Sequence, residues 1–72
     1  MDIDGEKLRR ARQRRLLTQT ELAEKASLTL STLSRLENGF QQARISTVRR
    51  LALALGIDPS ELLQDDEGKE AA

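Results

Sequence analysis

Five residues between positions 30 and 38 carry the side chains best suited to a chemical task. Leu30, Ser31, Ser34, Arg35 and Asn38 recur at the i, i+3, i+4 spacing that gathers side chains on one face of a helix, and no Asp or Glu falls on that face. Such a face can approach a polyanion. Small hydroxyls let the backbone come close to base edges, a guanidinium can donate two hydrogen bonds to guanine, and an exposed leucine suits a thymine methyl. An ordinary solvated helix face carries the same residue types, since exposed Ser and Arg are common. What separates the two readings is the geometry that presents the face. Other chemistries lack their materials: with no Cys and no His in the chain, thiolate and imidazole nucleophiles, the usual zinc ligands, disulfide scaffolds and c-type haem attachment are excluded. Ser, Asp and Glu are present, but no spacing among them suggests a nucleophile with its base. The chain therefore reads as a non-enzyme that needs no cofactor and no metal.

The elements that must hold this face are helical. Thirteen Leu and eight Ala stand against one Val, one Phe and no Tyr or Trp, a mix that favours helix over strand. Seventy-two residues allow one small core and no second one. The net charge of zero hides an asymmetry: residues 1–50 carry eleven Lys and Arg against six Asp and Glu, whereas residues 51–72 carry one Lys against six acids. A basic body thus precedes an acidic end. No apolar run approaches a membrane span, and MDIDGEK is acidic rather than a basic leader. The expected setting is soluble and cytoplasmic, with no membrane partner.

A compact all-α bundle of five short helices is expected. The first runs from Gly5 to about Arg15 on Leu8 and Ala11, with Asp2, Asp4 and Glu6 at its positive end. The second is announced by the capping box Thr18-Gln19-Thr20-Glu21 and buries Leu22, Ala23 and Ala26. Thr29 caps the third, about ten residues long, and Asn38-Gly39 stops it. After a loop over 40–45, Ser46 caps a fourth helix with the stripe Val48, Leu51, Ala52, Leu55, closed by Gly56. Asp58-Pro59-Ser60-Glu61 opens a fifth, carrying Leu62 and Leu63. Residues 1–64 form the domain, and 65–72, an acidic tail with nothing to bury, should fray. The connection Ala26-Ser27-Leu28 between the second and third helices is too short for anything but a tight helix-turn-helix corner, with Ala23 at the crossing point.

With that corner in place, LLTQTELAEKASLTLSTLSRLENG resembles the core motif of the Cro and phage-repressor type of helix-turn-helix proteins, the xenobiotic-response-element class, and ISTVRRLALALGIDPSELL resembles that family's fourth and fifth helices. The resemblance covers roughly residues 5–63 and includes Gln19, Leu22, Ala23, Leu28, Leu33, Leu36, Glu37, Asn38 and Gly39 without a gap. It implies a lambda-repressor-like fold and a DNA-binding transcriptional regulator. By position, Leu30, Ser31, Ser34 and Arg35 fall on the helix face that reads bases, and Thr18, Gln19, Thr29, Asn38, Gln42 and Arg44 fall where the family grips phosphates. Arg12 and Glu37 match a pair that forms a largely buried salt bridge in some relatives. Two departures stand out: Ser27 and Leu16 occupy positions where Gly is usual. The loop Phe40-Gln41-Gln42-Ala43 lacks the relatives' Lys, Arg and Pro, and Phe40 is expected as a core plug. Helix-1 arginines 9, 10, 12, 14 and 15 are expected mainly as a solvated face.

The implied partner is double-stranded DNA with an inverted-repeat operator, bound by a homodimer. Its interface is expected in the C-terminal third, with Ile57 and Leu63 left over for the two-fold mate inside an acidic rim of Asp58, Glu61, Asp65 and Asp66. The alternative is that all the apolar residues there complete the monomer core. No ligand-sensing domain fits, so control would come from concentration, a toxin or other protein partner, or promoter occupancy. The settings are a phage-type repressor, a restriction-modification controller or an antitoxin. The rival reading is a protein-interaction module that keeps the fold without binding DNA.

Overall fold

The carboxylate of Asp4 starts the first helix by accepting from the backbone N–H of Glu6 at 2.9 Å and of Lys7 at 3.2 Å. These are amides that a first turn leaves without a carbonyl partner. In the computed structural model, which describes residues 2–64, α1 then spans Gly5–Arg14. At the next start the hydroxyl of Thr18 accepts from Glu21 N at 3.1 Å, while the Glu21 carboxylate accepts from Thr18 N at 2.8 Å, and α2 follows over Gln19–Lys25. The backbone bond from Thr18, then its hydroxyl, holds Glu21 ionised and lowers its pKa below the ordinary 4.5. The Thr29 hydroxyl accepts from Thr32 N at 3.1 Å and opens α3, Leu30–Glu37. Gly39, at φ 78°, supplies the left-handed turn that ends it.

Ser46 does not cap α4, which spans Ile45–Leu55. Arg44 takes the extended cap position without a side-chain bond, and its carbonyl already accepts from Val48 N at 3.0 Å, so Ser46 lies inside the first turn. Val48, Leu51, Ala52 and Leu55 are buried along one stripe, and Gly56 closes the helix at φ 71°.

The fifth helix is a correction: among the described residues there are four α-helices, and Pro59–Leu62 forms only one turn of 3-10 helix. The reason lies at the other end of the chain. Leu63 turns extended and pairs antiparallel with Ile3; Asp4 N donates to Leu62 O at 2.8 Å and Gln64 N to Asp2 O at 3.0 Å. The backbone groups that would have continued a helix are satisfied there. Asp58 still caps the turn, accepting from the Ser60 hydroxyl at 2.7 Å and Ser60 N at 2.9 Å, and these bonds lower its pKa in that order.

Seven leucines (8, 22, 33, 36, 51, 55 and 62) are fully buried between the helices, with Ile3, Ala23, Ala26, Val48 and Ala52 closing the core. Each buried leucine is worth about 1.5–3 kcal/mol of transfer free energy. Phe40 does not plug this core; it is 80% exposed. Its N–H donates to Arg35 O at 2.9 Å, the bond that completes the α3 stop, and the left-handed turn at Gly39 leaves the ring outside. Ala43 packs against the core in its stead. The acidic tail 65–72, with Asp65 and Asp66, lies outside the described residues. No helix of the described residues is long and apolar enough to cross a membrane, and no acidic cluster among them could hold a metal.

Candidate nucleic-acid interface

The corner between α2 and α3 turns on Ser27 at φ 59°, with Ser27 N donating to Glu24 O at 3.2 Å and Leu28 N to Ala23 O at 2.8 Å. Ser27 thus adopts the left-handed geometry without glycine, at a cost of about 1 kcal/mol. Leu16 does the same at φ 57° after α1 and is 90% exposed. The small side chains Ala23 and Ala26 are buried in the corner, and α3 packs Leu33 and Leu36 inward.

That packing turns the opposite face of α3 outward. Leu30 (47% exposed), Ser31, Arg35 and Asn38 are exposed, and Ser34 is half-buried. No described residue pairs with the Arg35 guanidinium, and no carboxylate lies on the face. Thr18, Thr29, Gln42 and Arg44 are exposed as well, and Gln19 is half-buried. Several of these groups are partly committed. The Thr29 hydroxyl, besides accepting from Thr32 N, lies 3.0 Å from the Thr32 hydroxyl as its donor. Gln42 Oε1 accepts from Ile3 N at 3.2 Å, which leaves its amide nitrogen as the group that can donate outward.

Behind the face sits a charged network. Arg12 Nε donates to Glu37 Oε2 at 2.7 Å and Nη2 to Glu37 Oε1 at 3.1 Å, while Nη1 donates to Leu17 O at 3.0 Å. The side chains are 13% and 1% exposed, so the two-pronged geometry neutralises a carboxylate held inside the core. Gln19 Nε2 donates to the same carboxylate at 3.0 Å, a contact with no signature in the sequence because it depends on how α2 abuts α3. Arg9 departs from the expected solvated face: its Nη2 lies 3.5 Å from Glu37 O and 3.3 Å from Asn38 Oδ1. Arg15 Nη2 donates to Gly56 O at 3.4 Å, and Arg10 pairs with Glu6 at 3.8 Å on the surface. Helix 1 therefore spends part of its charge on helix C-termini.

Ile57 and Leu63 are half-buried, whereas Val48, Leu51, Leu55 and Leu62 are buried in the monomer. Leu63 borders an apolar groove with Ile45, Val48, Arg49, Pro59 and Ser60. Ile45 and Leu53 are exposed on α4, a feature the sequence reading missed although both lie off the buried stripe.

The family model described as Helix-turn-helix matches residues 8–62. The chain is 37% identical over 62 residues to an immunity repressor protein of Bacillus phage phi105, an alignment covering 86% of this chain and 43% of the repressor. It thus spans less than half the length of that relative. Its fold is similar to the restriction-modification controller protein C.AhdI from Aeromonas hydrophila, at TM-score 0.80 and 34% identity over 82% of this chain and 89% of the controller. A likeness at TM-score 0.77 and 34% identity also covers 90% of this chain and 14% of a hydroxyethylphosphonate dioxygenase, so the same module occurs as a small part of an enzyme chain.

Proposed function

The chain belongs to the helix-turn-helix family, and on that premise we propose that it binds duplex DNA at specific sequences as a homodimer, with α3 in the major groove, and regulates transcription. The observation that carries this reading is the outward face of α3: it is free of acid, and its Arg35 guanidinium makes no bond to another described residue. Arg35 is the donor for a guanine, Leu30 the contact for a thymine methyl, and Ser31 and Ser34 the small hydroxyls that allow close approach. Thr18, Gln19, Thr29, Asn38, Gln42 and Arg44 border the face and hold phosphates, which fixes its register on the duplex. The repressor and controller named for the relatives support a role as a phage-type repressor or a restriction-modification controller.

Arg35→Ala and Gln19→Ala test the division between reading and gripping. Loss of Arg35 should cost about 1–3 kcal/mol on the specific site and relax preference at one base pair per half-site. Loss of Gln19 should weaken binding to all sequences alike. Both affinities should fall steeply with salt, as phosphate contacts require. Equal losses for Arg35→Ala on specific and random duplexes would place that side chain on the backbone and remove it from base reading.

A further inference from the structure

A chain of three polar side chains runs from α1 onto the reading face. Arg9 Nη2 lies 3.3 Å from Asn38 Oδ1, and Asn38 Nδ2 lies 3.4 Å from Ser34 Oγ. The direction of this chain is set by chemistry. A guanidinium has donors and no acceptor, so the atom that Asn38 turns to it must be the carbonyl oxygen. The amide nitrogen of Asn38 then necessarily points at Ser34, and a nitrogen that only donates makes Ser34 Oγ the acceptor. Asn38 thus occupies one of the two lone pairs of Ser34 Oγ, and the hydroxyl proton, which no described residue accepts, is left for whatever faces α3. Asn38 keeps its second amide hydrogen, which remains available to a phosphate.

The geometry points to Arg9 and Asn38 as positioning residues that make Ser34 a hydrogen-bond donor toward the base edge. This rests on the DNA-reading function proposed for α3. A donor there matches purine N7, guanine O6 or thymine O4, and suits cytosine less well, because its N4 donor would have to share an oxygen that already accepts from Asn38. The half-site is therefore expected to disfavour cytosine at the base that Ser34 meets. One hydrogen bond of this kind discriminates by between about twofold and tenfold.

The test compares base preferences selected from a random duplex pool by the full chain and by four variants. Ser34→Ala, a replacement that a helix accepts readily, should identify the position by restoring cytosine there and nowhere else. Asn38→Asp puts an acceptor-only carboxylate beside Ser34 and takes up its proton. Overall affinity should drop, and cytosine should become favoured at that one position. Arg9→Gln, which can offer either an oxygen or a nitrogen to Asn38, should weaken the bias against cytosine while other positions keep theirs, and Arg9→Lys should retain it. A Ser34→Ala profile identical to that of the unsubstituted chain overturns the inference, as does an Asn38→Asp profile that changes affinity but no base preference. If the unsubstituted chain selects no motif, the proposed function fails and takes this inference with it. If it selects a motif that Ser34→Ala leaves untouched, only this inference fails.

Discussion

A carboxylate set among leucines is held there only if its charge is met at close range. Glu37 is the charged residue that the core takes in, and Arg12, Gln19 and the more distant Arg9 surround it. Removing Glu37 alone strands the guanidinium of Arg12, a side chain 13% exposed, at an expected cost of up to about 3–5 kcal/mol, the value for a fully buried half-pair. Replacing both by apolar residues of similar size should cost less than the sum of the singles, read as the coupling term of a double-mutant cycle in thermal or urea unfolding. Strictly additive melting data would contradict the bidentate geometry. The Arg12–Glu37 pairing was legible through motif resemblance. The part played by Gln19 was not, because a side chain's second partner is chosen by packing that no spacing records. Phe40 shows the converse failure: an aromatic residue next to a buried helix end reads as core, yet the left-handed turn at Gly39 decides which way it leaves the helix.

At the scale of elements, the crossing of α1 over the end of α3 depends on the absence of one methyl group. A Cβ built on Gly5 would lie 2.5 Å from both Glu37 O and Leu36 O, which are backbone atoms that cannot swing aside. Gly5→Ala should therefore destabilise the fold by about 1–3 kcal/mol, as overpacking does, although alanine is the better helix former. A melting temperature unchanged or raised in this variant would show that α1 does not sit so close. The starts of α1, α2, α3 and the last turn were legible, because Asp4, Thr18, Thr29 and Asp58 cap through bonds to amides within three residues, whereas α4 opens after Arg44 with no side-chain bond to announce it. The fate of the last segment was not legible, since it is settled by Ile3 pairing with Leu63 from the far end of the described chain. Local signals can announce a helix at Pro59, but a partner distant in sequence ends it after one turn. Leu16 after α1 and Ser27 in the α2–α3 corner both hold left-handed backbone without glycine.

For the whole molecule, the proposed dimer covers the half-buried Leu63 and the exposed Ile45, which border one apolar groove, whereas Ile57 lies beside Lys7, Arg10, Ala11, Arg14 and Glu61. Leu63→Asp, followed by sedimentation and circular dichroism together, should yield a folded monomer with weaker operator binding. General unfolding, or a dimer left intact, would remove the C-terminal third from the interface. The charge asymmetry belongs to this scale too. Eleven of the twelve basic residues lie in 1–50, six of them in 7–15, and residues 51–72 carry the acidic excess. A polar or acidic end kept away from the phosphates would leave the reading helices to face the duplex. In the proposed dimer two copies of α3 read one face of a duplex together. A two-fold dimer sets them about 34 Å apart, one helical turn. Selection of bound sites from a random duplex pool measures this directly. The expected result is an inverted repeat with half-site centres about one turn apart; recovery of direct repeats alone, or of no motif, would contradict the account.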